Sequence, residues 1–327
     1  MKRILIIDAL NLFIKNFIVN PTLSNNGIPV GGVVGFLQSL QKLCREINPG
    51  AIFCVWDGGG GSLKRKRQNK DYKNGRKVAR LNRVYKLMED AENIENELWQ
   101  QSRLLNYLNN LPIVQFMYDS VEADDIIAIL AHHPAYQNDQ KVIVSSDKDF
   151  IQLCDSKTIL YRPTQSEILT TKTVIEKFNI HPNNFCLARS LSGDKSDNLK
   201  GVEGAGLPTI AKRFPFLVEE KSYTINDVVQ HAQKQIEENK KAPLIYAKVA
   251  SSSDVIKENY SLMQLAAPTV SYDVKEKLNY VLESFEPTLN RTYFIQYSVT
   301  DGFAEINFEP LFRQMSKIVA QYQEQKK

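Results

Sequence analysis

The sequence predicts an α/β protein built on a parallel sheet with helices on both faces. Short apolar runs of strand length alternate with helical patterns from the start to about residue 190. Several of these runs end in acidic residues, as strands do where a sheet carries a site along its C-terminal edge. With 327 residues, 43% of them hydrophobic, the chain is long enough for a large core.

The first run, residues 4–7, ends at Asp8. Residues 33–47 then carry apolar side chains at close to helical spacing, and residues 52–56 form a second apolar run that ends at Asp57. Gly58 to about Met88 breaks the rhythm with a glycine run and a basic stretch. A third run, 113–121, leads to Glu122-Ala-Asp124-Asp125, and the apolar residues 126–130 open a helix. The run 142–144 precedes Asp147 and Asp149. From about Ser190 a glycine-rich stretch begins, and the chain beyond it reads as mainly helical to about residue 265. The tail carries short apolar-aromatic pieces at 293–297 and a helix from 309 to about 321. The expected division is an α/β domain over 1–190, including a basic segment at about 60–90, and a glycine-rich turn with a mainly helical region over 191–327.

Lys and Arg exceed Asp and Glu by 41 − 37 = 4. If the nine acids at five places gather in one pocket, the remaining surface is far more basic, which favours a polyanionic partner. Cys44, Cys54, Cys154 and Cys186 show no CxxC spacing, so a zinc site is not expected, and they read as reduced, mostly buried thiols. No signal peptide and no stretch of roughly 20 apolar residues is seen, which points to a cytoplasmic protein without a membrane partner.

Taken singly, Asp8 suits a helix cap, Asp57-Gly58 a turn, and Asp147 or Asp149 a cap for residues 150–153. Glu122, Asp124 and Asp125 are harder to explain as caps. Three acids within four positions exceed what a helix N-terminus needs. Together with Asp194 and Asp197 they form an oxygen-donor set suited to Mg²⁺ or Mn²⁺, and two such ions in one cage imply phosphoryl-transfer chemistry. No Ser/His/Asp arrangement competes, since the four histidines are His132, His133, His181 and His231.

Eleven basic residues lie between Lys64 and Lys86, opposed only by Asp71 and interleaved with Tyr72 and Tyr85. Most such runs are solvated faces. This one starts just after Asp57, and cations with stacking rings suit single-stranded nucleic acid. In Gly193-Asp-Lys-Ser-Asp-Asn198 and the residues after it, glycines at 201, 204 and 206 allow a tight turn whose backbone N–H groups can grip phosphate.

In order along the chain, Ile-Ile-Asp8, Trp-Asp57-Gly, Tyr72-Lys73-x-x-Arg76, Glu122-Ala-Asp-Asp125, Ser-Ser-Asp147-x-Asp149 and Gly-Asp194-x-x-Asp197-Asn resemble the flap endonuclease/5′–3′ exonuclease family, especially its phage members of the RNase H type. The resemblance covers residues 1 to about 215. It implies a PIN-like twisted sheet with a helical arch and a helix–hairpin–helix type element. It implies cleavage of 5′ flaps, nicked duplexes or RNA primers on DNA in replication or repair. Two Mg²⁺, replaceable by Mn²⁺, would be held by Asp8, Asp57, Glu122 and Asp124 and by Asp147, Asp149 and Asp197, with Asp125 and Asp194 near the second. Lys73 would reach the scissile phosphate, Tyr72 would stack on a base, and Arg67 and Arg76 would hold phosphate. Gly201, Gly204 and Gly206 would grip duplex and bind K⁺. Pro208 stands where the family commonly has Lys, with Lys200 and Lys212 as substitutes for the lost contact. By the same resemblance the protein would be a monomer in the cytoplasm, the host's if phage-encoded, and would have a single-strand-binding protein or sliding clamp as partner. The rival readings are a PIN-like endoribonuclease of single-stranded RNA, a non-catalytic DNA-binding factor and a phosphatase of small substrates. The first and last have no use for a long basic arch, and a pure binder gains nothing from carboxylates that repel phosphate.

Overall fold

The computed structural model describes residues 2–74, 88–303 and 305–325. Tyr85, Arg76 and the other basic residues from Lys77 to Lys86 lie outside the described residues. Six strands form the central sheet: β1 (Arg3–Asp8), β2 (Ala51–Val55), β3 (Val114–Phe116), β4 (Gln140–Val144), β5 (Thr158–Arg162) and β6 (Glu167–Leu169). Their spatial order is β3-β2-β1-β4-β5-β6, with the first five parallel and β6 antiparallel to β5. The chain builds outward from β1 to β3, then crosses back to lay β4 on the other side of β1. The β1/β4 boundary is therefore a switch point, where a crevice opens at the C-terminal strand ends.

Both sheet faces are covered, as the continuous apolar strands require. Ile4 and Ile6 of β1 point into one core with Phe53, Val55 and Ile143, while Leu5 and Ile7 point into the other with Ile52, Cys54, Val142 and Val144. The second face carries α1 (Ala9–Val19), α2 (Gly31–Ile47) and, after α3 (Leu63–Gln68), the long α4 (Asp90–Leu108). The first face carries α5 (Ala123–Ala131), α6 (Thr171–Phe178) and α7 (Phe185–Ser192). All four cysteines are free and buried.

The α7 helix runs into a two-stranded hairpin, β7 (Gly193–Asp194) and β8 (Leu199–Lys200), then a turn and α8 (Leu207–Arg213). Glycine is required where this hairpin crosses itself. Gly193 has φ +70°, and a Cβ there would lie 2.2 Å from the Gly201 nitrogen. Pro208 sits in the first turn of α8, where its missing N–H leaves no helical hydrogen bond unmade.

Among the described residues six further helices follow: α9 (Ile225–Glu238), α10 (Leu244–Ser251), α11 (Ser253–Met263), α12 (Tyr272–Ser284), α13 (Arg291–Thr300) and α14 (Glu309–Gln325). The apolar-aromatic piece at 293–297 is helical. Phe294 of α13 is buried in the second core against Tyr107, Phe308 and Phe312, while Tyr293 and Ile295 face outward. Among the described residues no helix is long and apolar enough to cross a membrane.

An ionic clasp at the end of α13 adds to this aromatic packing against α4. Arg103 donates to both oxygens of Asp301 at 2.9 and 2.6 Å, and the Tyr107 hydroxyl donates to Asp301 Oδ2 at 2.8 Å. Asp301 is 8% exposed. Asp301→Ala leaves a guanidinium and a buried hydroxyl without their acceptor. We expect it to lower unfolding free energy by about 2–4 kcal/mol in urea melts, whereas Asp273→Ala, which breaks an exposed i,i+4 pair with Lys277, changes it by less than about 0.5 kcal/mol.

Candidate active site

The site lies at the switch point. Asp8 is the last residue of β1 and also caps α1: its Oδ1 accepts from the Asn11 backbone N–H at 3.2 Å. Its Oδ2 accepts from the Ser145 hydroxyl at 2.8 Å. Ser145 is fully buried just beyond β4, and its oxygen also accepts from the Asp147 backbone N–H at 3.1 Å. One hydroxyl thus couples the acids at the ends of the two strands that meet at the crevice. Asn11 adds a second tie, its Oδ1 accepting from the Ser146 N–H at 3.0 Å.

Asp57 follows β2 by two residues and reaches across to α5, its Oδ1 accepting from the Ala123 backbone N–H at 2.8 Å. Glu122 stands at the N-terminal boundary of the same helix and is 2% exposed. Asp147 Oδ1 accepts from the Asp149 N–H at 2.9 Å, closing a turn that starts a 3-10 segment over Asp149–Leu153. The cap expected of Asp8 is therefore present, whereas Lys148 stands at the cap position of the 149–153 segment and makes no side-chain cap hydrogen bond.

Their convergence is visible in their proton affinity. Burial, then the charges of Asp124 and Asp57, push the Asp8 carboxyl well above the ordinary carboxylate range. Burial pushes Asp124 up to about 7, with Asp147 and Asp57 adding to the rise and Lys73 and Arg65 opposing it. Burial and Asp147 push Asp149 up to about 7 against the pull of Arg189. Carboxylates that raise one another in this way form a set that is short of positive charge.

Part of that charge is supplied by the protein. Arg65 on α3 is ion-paired with Glu122 and, at 3.0 Å, with Asp125. Lys73 Nζ lies 2.8 Å from Glu122 Oε1. Arg189 on α7 donates to Asp149 Oδ1 at 3.0 Å and pairs with Asp194. Among the described residues, no group of three His, Cys, Asp or Glu side chains stands ready to hold a metal ion. Basic side chains stand among the acids instead. The donor set still fits hard divalent ions, being all carboxylate oxygen and mutually destabilised, so that a cation displacing Arg65 or Lys73 meets oxygen ligands.

The described leg of the basic segment, residues 63–74, is folded down onto the acids. Lys73 adopts φ +53°, and its backbone N–H donates to the Asp197 carbonyl at 3.0 Å. Tyr72, expected to stack on a base, is 3% exposed with the leg in this position. It packs with Cys186, Leu199, Leu262 and Met263, its hydroxyl 3.4 Å from Glu122. The physical reason is that the ring gains an apolar cluster and the hydroxyl an acceptor when the leg closes. Arg65 Nε and Lys64 Nζ donate to the carbonyls of Leu262 and Thr269, so the leg also touches the C-terminal part. Arg67, Lys200 and Lys212 are exposed, as are Gly204 and Gly206. Gly201 is half-buried against Ser192. Asp194 is used inside the hairpin: its Oδ1 accepts from the Ser196 N–H and hydroxyl at 2.8 and 2.6 Å. Although burial opposes it, Arg189 and Ser196 hold Asp194 below the ordinary range.

Sequence patterns did not single out Arg65, Ser145 or Arg189. Arg65 was one cation among eleven, and Ser145 was only part of the Ser-Ser-Asp147 string. Arg189 carried a usable signal, a lone charge in the otherwise uncharged Phe-Cys-Leu-Ala-Arg-Ser-Leu-Ser helix.

Residues 3–179 match the family model described as 5′–3′ exonuclease, N-terminal resolvase-like domain. A 5′–3′ exonuclease of Aquifex aeolicus (strain VF5) is 30% identical over 210 residues, covering 64% of this chain and 68% of its own length. DNA polymerase I of Bacillus subtilis (strain 168) is 29% identical over 217 residues, and there the match spans 23% of the relative's length. Among solved structures, a bacteriophage T5 flap endonuclease in a pseudo-enzyme–product complex with DNA and metal ions superposes with TM-score 0.66 at 19% identity, covering 86% of this chain and 98% of that one. The T5 5′-exonuclease with bound zinc gives TM-score 0.67 at 19% identity, over 87% and 99%.

The raised carboxyls predict how metal-free stability depends on pH. In the unfolded chain Asp124 and Asp149 titrate near 3.8, and in the folded chain near 7. Between those values the folded state holds more protons, so their contribution is fully present below about 3.8 and is lost as pH rises through about 7. In EDTA, Asp124→Asn should therefore be more stable than wild type at pH 8, by about 2 kcal/mol, and show no such gain at pH 4. Thermal melts at the two pH values measure the difference.

Proposed function

The chain belongs to the flap endonuclease/5′–3′ exonuclease family, and from that membership we propose that it is a structure-specific, metal-dependent 5′ nuclease. Its substrates are 5′ flaps, nicked duplexes and RNA primers paired to DNA, and its role is their removal during replication or repair. The single observation that carries this is the set of buried, mutually destabilised carboxylates at the switch point, met from above by the cations of a basic leg.

Asp8, Asp57, Glu122 and Asp124 would hold one divalent ion, and Asp147, Asp149 and Asp197 a second, with Asp125 and Asp194 outside direct ligation. Mg²⁺ is the ion proposed, with Mn²⁺ as a substitute. Such ions, when bound, neutralise charge on the phosphate and make water a stronger nucleophile at neutral pH. The protein's own part begins with Ser145 and Asn11, which fix Asp8 so that the carboxylates keep their places as substrate arrives. Arg65 and Lys73 exchange carboxylate for phosphate as the leg lifts, and Tyr72 is uncovered for a base. Lys73 then stabilises the charge that develops on the scissile phosphate. Water attacks phosphorus in line, the P–O3′ bond breaks, the O3′ leaves with a proton, and the product carries a 5′-phosphate.

The exposed Gly204–Gly206 turn, with Lys200 and Lys212, grips the duplex backbone and is the place for a K⁺ ion. Arg67, and Arg76 outside the described residues, hold the flap phosphates. We place the nuclease unit at 1–190 and the duplex-gripping and helical region at 191–327. The protein acts in the cytoplasm, that of a host if phage-encoded, as a monomer, with a single-strand-binding protein or sliding clamp as partner.

The test is to map 5′-labelled products from flap, nicked and RNA-primed duplexes, with Mg²⁺ and with EDTA. Cleavage near the junction that requires the ion supports the proposal. Cutting of unpaired RNA alone would indicate a single-strand endoribonuclease, and no cutting of any substrate a binding factor. Asp147→Ala is expected to lower cleavage by at least about 10³-fold while flap binding in a gel-shift assay persists. Lys73→Ala is expected to lower single-turnover cleavage by about 10²-fold and to weaken binding by less than about 5-fold. Equal losses would make Lys73 a positioning contact only.

A further inference from the structure

Helix α7 is lined by buried Phe185, Leu187, Ala188 and Leu191, and a charge in such a helix is costly unless it is fully paired. The Arg189 side chain is 11% exposed. Its Nε donates to Asp149 Oδ1 at 3.0 Å, its Nη2 pairs with Asp194 Oδ2, and its Nη1 lies 3.5 Å from the Gly193 carbonyl. One guanidinium therefore joins a carboxylate of the strand-end cage to a carboxylate at the root of the glycine hairpin.

The two halves of the cage are neutralised differently. Glu122 is met by Arg65 and Lys73, which lie on the leg of the basic segment. Asp149 is met by Arg189, which lies on a helix packed into the first core beside α8 and α11. The first pair of cations comes from the basic segment, and the second cation comes from a helix of the core.

We propose that Arg189 is a positioning residue of the carboxylate centre: a built-in cation that holds Asp149 against the hairpin and makes the Asp147/Asp149/Asp197 half the weaker site for a divalent ion. A fixed positive charge a few ångströms from a ligand oxygen repels an arriving cation, so this half fills after the other. The hairpin that Arg189 ties to Asp149 is the element assigned to the duplex. Occupancy of the second half is thereby linked to how the hairpin sits. The proposal rests on the metal-cage reading of the carboxylates.

The experiment counts Mn²⁺ bound to the nucleic-acid-free protein by electron paramagnetic resonance. Wild type should bind one ion tightly and a second weakly. Arg189→Met should tighten the second ion by about tenfold or more, and Arg189→Lys, which keeps the charge but not the fork, should stay near wild type. A purely structural arginine would instead leave the second affinity unchanged, or weaken both, in folded Arg189→Met protein, and either result overturns the proposal. If Arg189→Met does not fold, Asp194→Asn decides: it leaves the guanidinium to Asp149 alone and should weaken the second ion further, and an unchanged affinity overturns the proposal. Wild type that binds no Mn²⁺ overturns the cage itself, a failure distinct from Mn²⁺ binding that ignores Arg189.

Discussion

Carboxylates from the ends of four parallel strands cannot share one crevice unless their charge is met, and much of the architecture follows from how that is arranged. Asp8, Asp124 and Asp149 hold their protons more tightly than free carboxyls because burial, and then the charges of neighbouring acids such as Asp57 and Asp147, disfavour the ionised form. The fold tolerates this because the strands that carry them are buried on both faces and their ends cannot splay apart. Ser145 and Asn11 then tie the acids to backbone and to each other.

The charge deficit accounts for the arrangement of the cations. Arg65 and Lys73 arrive from a leg that is also anchored on the Leu262 and Thr269 carbonyls and on Asp197. That leg therefore joins the strand-end site to the C-terminal helices. Arg189 arrives from inside the core and joins the same site to the glycine hairpin. Two routes thus run outward from the carboxylates, one through the leg of the basic segment and one through a helix of the core. Tyr72 reflects the same constraint: with the leg closed, its ring fills an apolar cluster and its hydroxyl faces Glu122.

Periodicity and residue type were enough for the alternation of strands and helices, the acids at strand ends, the basic run and the glycine turn, because each of these is a local pattern. The Asp8 cap was legible too, since Asp8 accepts from Asn11 only three residues away. The 293–297 piece was not legible as a helix. Its apolar residues lie all round, and only packing of Phe294 against Tyr107 and Phe312 makes one face interior.

What the sequence by itself determined is therefore the inventory: the fold class, the acids and their order, and the cations available to meet them. Only the tertiary structure decided the pairing, which of those cations meets which acid. Arg65 and Asp125 are 60 residues apart, Arg189 and Asp149 are 40, and Ser145 and Asp8 are 137. No local pattern carries such information, because the choice among many cations is made by burial and geometry once the sheet has brought its strand ends together.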